Sequence, residues 1–150
     1  MANVDSLALA LLRDRVESYL QEAIGNWDTD EDGDYGFTHE SARIFVCPRI
    51  WMGDKTVVRV FSVTNLGLAA TPELMEYLAT ENFHLTFGHF AFNESERSVW
   101  FIHNLLGDFL DREELLTAVR MVASQANLYD DRIKERFGGR LFTEAEPAGR

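Results

Sequence analysis

Apolar residues recur at three- and four-residue intervals near both ends of the chain and at nearly every second residue through its middle. Leu9, Leu12, Val16, Leu20 and Ala23 share one helical face, which predicts a first helix over about 6–24. Asp5 is the expected N-cap and Gly25 the expected stop. Leu115, Val119, Val122, Ala126, Tyr129 and Ile133 repeat in the same way and predict a long last helix. Asp111 with Glu114 makes a capping-box-like start for it, and Gly138-Gly139 ends it. Thr71-Pro72 opens a short middle helix that ends near Asn82, with threonine as cap and proline at the first helical position.

Between the helices the pattern changes to strands, expected at 34–40, 42–51, 56–65, 85–92 and 98–106. Gly53-Asp54 suits a two-residue hairpin turn, which sets Met52 opposite Lys55 and Ile50 opposite Val57. In that register Ile44, Val46, Pro48, Ile50, Val57, Phe61 and Val63 form the core face. Arg43, Phe45, Cys47, Arg49, Trp51, Val58, Val60 and Ser62 form the mixed face. The order is α-β-β-β-α-β-β-α, an α+β fold with a five-stranded antiparallel sheet packed with helices. One domain over 1–142 and a flexible tail over 143–150 account for the chain.

Composition narrows the function classes. Of 150 residues, 25 are acidic and 14 are Lys or Arg, a formal net charge of −11. That excess opposes nucleic acid and anionic membrane as partners. It is also uneven: residues 25–40 carry six carboxylates and no Lys or Arg, while residues 41–67 are net basic. The apolar run Leu7–Leu12 is too short for a signal segment or a span. Cys47 is the single cysteine, so no disulfide forms within the chain, and a cytoplasmic setting is expected.

Chemical motifs are sparse. Asp28 to Asp34 copies the front half of a calcium loop, but its twelfth position is His39 where a bidentate Glu belongs. An acidic turn is the expectation there. His89 and His103 fall in neighbouring strands, yet a zinc site needs a third protein ligand. Cys47 lies inside a strand, away from any helix N-terminus that would activate it. Phe87-Gly88-His89 places one glycine in a strand, the mark of a bulge or a close backbone approach. No catalytic residue, cofactor or metal is expected. Phe45, Trp51, Phe90, Phe92, Trp100 and Phe101 load both faces of several strands, more than a sheet with one wet face requires.

The order of several strings resembles a known superfamily: Asp30-Glu31-Asp32-Gly33-Asp34-Tyr35, Thr71-Pro72-Glu73-Leu74, Leu85-Thr86-Phe87-Gly88, Leu105-Leu106-Gly107-Asp108-Phe109-Leu110-Asp111, Glu114-Leu115 and Phe137-Gly138-Gly139. Over residues 5–142 the chain is similar to YbjN-like domains and to type III secretion chaperones of the CesT (Tir chaperone) kind, in particular their actinobacterial TY-Chap branch. Relatives often carry a second Asn before the fourth strand, where this chain has only Asn82. The resemblance implies a non-enzymatic, chaperone-like adaptor that holds a segment of a partner protein, and relatives of this kind are typically dimeric. On the residues, the mixed hairpin face is the expected peptide surface: Arg43, Phe45, Arg49, Trp51, Val58 and Val60. A regulatory homodimer without client, and a metal-linked enzyme using His89, His103 or the acidic loop, are the alternatives.

Overall fold

The computed structural model describes residues 4–145, with side chains described for 7–144. The first helix, α1, spans Val4–Ala23, so Asp5 lies inside its first turn rather than ahead of it. Two antiparallel strands, β1 (Asp28–Thr29) and β2 (Tyr35–His39), flank the acidic turn. The long hairpin β3 (Ala42–Trp51) and β4 (Lys55–Leu66) follows. Helix α2 (Pro72–His84) leads to β5 (His89–Asn93) and β6 (Ser98–Leu106). Helix α3 (Arg112–Phe137), β7 (Arg140–Leu141) and a 3-10 turn, Thr143–Ala145, complete the described chain.

The helix boundaries follow their caps. Thr71 accepts a hydrogen bond from the Leu74 N–H at 3.2 Å, with Pro72 at the first helical position. Asp111 accepts from the Glu114 N–H at 2.7 Å, and Gly138 at φ 81° closes α3. All six apolar positions of the α3 stripe, from Leu115 to Ile133, are buried in the chain's own core.

The sheet is antiparallel and runs β1-β2-β3-β4-β6-β5, with β7 on the end of β4. It therefore has seven strands where the sequence suggests five; the two additions, β1 and β7, are two residues each. Helices α1 and α3 cover one face of the central strands, and α2 packs by β5. The core joins Leu12, Val16 and Leu20 of α1 to Ile44, Val46, Val58 and Val60 of the hairpin and Leu115, Val122 and Ile133 of α3. The start of the expected tail packs back on α3. Lys134 pairs with Glu144 at 2.7 Å, and Glu144 also accepts from the Leu141 N–H. Residues 146–150 lie outside the described residues.

Two expectations are corrected by local geometry. The strand expected from Leu85 begins only at His89, because α2 continues to His84 and the chain then reverses. Asn82 causes this: its amide donates to the Phe90 carbonyl at 3.1 Å and accepts from the Phe90 N–H at 2.6 Å. Gly88 sits at φ 75° with the Phe101 ring where a Cβ would stand, so a close approach is indeed what that glycine serves.

The second correction is the hairpin register. Trp51 pairs with Lys55 and Arg49 with Val57, leaving Met52, Gly53 and Asp54 as a three-residue loop. Met52 and Gly53 both take left-handed angles, φ 50° and 80°. The pairing is one residue off the expected one, which keeps β3 as expected and turns β4 over. Val58 and Val60, expected on the peptide surface, are fully buried in the core at 0% exposure. Val57, Phe61 and Val63, expected in the core, face the other way.

Candidate functional site

The face of the sheet away from α1 and α3 is open and aromatic. It carries the odd-numbered residues of the hairpin, Arg43 to Trp51 on β3 and Lys55 to Val63 on β4, together with Trp100, Ile102, Asn104 and Leu106 of β6. Alternation puts them there, since each strand sends successive side chains to opposite faces. Phe142, Phe45, Phe61 and Trp100 form a continuous row across it. Phe45 and Phe61 are stacked at 5.1 Å between centroids, Phe61 and Trp100 at 4.6 Å, and Phe142 meets Phe45 edge-on at 6.1 Å.

Beside this row lies a cleft of ≈ 620 Å³. Val57, Phe61 and Trp100 give it an apolar floor, with Trp51 47% and Leu106 54% exposed at its rim. Cys47, Arg49, Arg59, Asn104 and Asp34 supply the polar part. The cations of the face are not equivalent. Arg49 reaches Asp34 at 2.6 Å, and that contact holds the guanidinium pKa above its ordinary value. Arg43 pairs with Asp28 at 2.8 Å and lies over the Phe45 ring. Arg59 donates from Nε to Asn104 Oδ1 at 3.0 Å and has no salt bridge among the described residues. Burial and the nearby Asp34 carboxylate push the Cys47 thiol far up, so it is an unreactive thiol at neutral pH.

Of the residues expected at a peptide surface, Arg49 and Trp51 line the cleft and Arg43 and Phe45 flank it on the same face. Val58 and Val60 lie on the far side of the sheet. Val57, Arg59, Phe61, Trp100, Asn104 and Leu106 belong to the face and were missed. The signal that finds the first three is the loop length after Trp51, which sets the register of β4.

The other chemical motifs do not assemble in the same way. His89 pairs with Ile102, and His103 follows Ile102 on β6, so the two histidines point to opposite faces. Asp30, Asp32 and Asp34 do bring carboxylate oxygens within 4.8 Å of one another. Asp30 Oδ1, however, accepts from the N–H groups of Asp32 and Asp34 at 2.9 Å each, while Arg13 donates to the Gly33 carbonyl. With Asp34 taken by Arg49, the segment is a tied acidic turn. No helix among the described residues is long and apolar enough to cross a membrane.

Solved structures share this antiparallel sheet with helices on one face. A chain of the HopA1–SchA chaperone–effector complex matches at TM-score 0.64 and 5% identity, over 83% of this chain and 97% of that one. A chain of the ExsC–ExsE complex matches at 0.59 and 18%, over 80% and 94%. A chain of the Yersinia pestis type III secretion chaperone SycH in complex with a YscM2 fragment matches at 0.56 and 13%, over 78% and 98%. These likenesses establish the fold. The chain belongs to the TY-Chap1 family, described as T3SS (YopN, CesT) and YbjN peptide-binding chaperone 1, whose model matches residues 10–145. No curated protein sequence matches it.

Proposed function

We propose that the protein is a non-enzymatic, chaperone-like adaptor that holds an extended segment of a partner protein on its open sheet face. Membership of a peptide-binding chaperone family supports this reading, and so do the chaperone–effector complexes among its structural neighbours. The observation that carries it is the aromatic row Phe45–Phe61–Trp100 with the cleft beside it, left uncovered by any helix among the described residues. Exposed aromatic surface next to arginine is the composition of the buried centre of a protein interface. The acidic surplus elsewhere on the chain suits a soluble protein of the cytoplasm.

The test is retention of an immobilised random peptide library by wild type and by Trp51→Ala. The wild type should retain apolar peptides at micromolar concentration and the variant markedly fewer. Equal retention overturns the assignment to this face.

A second reading, a homodimer, is favoured by one observation. Phe87, Leu106 and Phe109 are exposed around a second cleft of ≈ 580 Å³ between the end of β6 and the start of α3. Light scattering at twice the chain mass supports it, and a monomer at high concentration removes it.

A further inference from the structure

We infer that the open face selects a segment with an acidic side chain between two apolar ones, in the alternating pattern apolar–x–acidic–x–apolar. This rests on the docking reading above and names the chemistry of its occupant.

The argument starts from the spacing on β4. Phe61, Arg59 and Val57 project from the open face in succession, about 7 Å apart, the repeat of any extended strand. A segment lying along β4 therefore brings every second side chain over these three positions in turn. The outer two are apolar. Phe61 is stacked on Trp100, and Val57 is the diagonal neighbour of exposed Trp51. The centre is Arg59, whose Nε is anchored on Asn104 and whose two Nη groups have no hydrogen bond among the described residues.

Charge decides what that centre accepts. Arg43 and Arg49 already hold Asp28 and Asp34, whereas Arg59 holds no carboxylate. An apolar side chain seated there would strip water from an unpaired guanidinium and return nothing. A carboxylate fits the Nη fork two-pronged in a charge-assisted bond. The same unpaired cation repels a basic segment, so the choice has a repulsive as well as an attractive side.

The probes are three fluorescein-labelled heptapeptides of threonine with leucine at the second and sixth positions and glutamate, glutamine or lysine at the fourth. They are titrated against the full chain by fluorescence anisotropy. Wild type should bind the glutamate peptide roughly tenfold more tightly than the glutamine one, and the lysine one most weakly. Arg59→Gln, at an exposed position, should bring the glutamate-to-glutamine ratio to about one. Equal wild-type binding of the first two peptides, or a preference that survives in Arg59→Gln, overturns the acid selection alone, provided Trp51→Ala still weakens binding. No binding of any peptide, or binding untouched by Trp51→Ala, overturns the docking face itself and the selection with it.

Discussion

Ile44 and Phe45 are neighbours on β3, as are Val60 and Phe61 on β4, yet each pair divides between two very different surfaces. On the helix side the hairpin offers aliphatic residues, Ile44, Val46, Val58 and Val60, all at 0% exposure. On the other side it offers Phe45, Phe61, Trp51 and three arginines. Both sides are apolar enough to read as core. Branched aliphatic side chains fill space between elements that already touch, and their rotamers are fixed by neighbours on every side. Aromatic rings interleaved with arginine tolerate a half-wet surface, because stacking and cation–π contacts persist there. The kind of apolar residue, more than the amount, separates the core face from the open one.

Truncation at adjacent positions tests that distinction most strongly. Ile44→Ala should cost about 3 kcal/mol in urea unfolding, since it leaves a cavity under α1 and α3. Peptide retention should persist wherever that variant is folded. Phe45→Ala should cost about 1–2 kcal/mol, because its ring is only partly buried. Retention should nevertheless fall sharply. Equal losses of stability at the two positions would make the open face a second core.

Most of the architecture was legible because its signals are local. Caps at Thr71 and Asp111, the stripe on α3 and the alternation on β6 need no knowledge of what lies across the sheet. The faces of β4 were harder, since they depend on one residue in the loop. Gly53-Asp54 is a strong turn pair, and nothing in its chemistry says that Met52 joins it at φ 50°. That one-residue difference exchanged Val58 and Val60 for Val57, Arg59 and Phe61 at the candidate site. The common face of Arg43, Phe45, Arg49 and Trp51 was legible because alternation along β3 keeps them together whatever the loop does. Trp100 and Leu106 were out of reach for another reason: the β4–β6 pairing is long-range, with α2 and β5 lying between the two strands in the chain.

The sheet edge and the loop supply intermediate tests. Asn82 occupies part of the β5 edge by bonding both backbone groups of Phe90. Asn82→Ala should cost about 2 kcal/mol for the two bonds and make the chain more prone to self-association in light scattering. An unchanged melting temperature would mean the edge needs no guard. Met52→Gly should stabilise by about 1 kcal/mol, because a left-handed methionine is strained and a glycine there is not. The gain should leave peptide retention unaltered, since the register that sorts the two faces is kept.

The smallest effect is expected at His103, on the helix side where the cover of α3 gives way to the second cleft. Its ring packs edge-on to Phe87 at 5.7 Å. Burial, with a lesser contribution from the charge of His89, holds its pKa below the ordinary value. Below about pH 6.5 the unfolded chain takes up a proton at this residue that the folded chain resists. The contribution of His103 to stability is therefore complete above that pH and is lost as the pH falls toward the lowered folded value. Asp130 works in the opposite sense, because burial raises its pKa and acidification then favours the folded form. A comparison of wild type with His103→Phe cancels Asp130, which both chains share. The phenylalanine chain should lose less melting temperature than wild type between pH 7.5 and 5.5. Parallel losses would mean that His103 is as wet as the open face, and that the apolar cover of the helix side ends one strand position earlier than its packing against Phe87 requires.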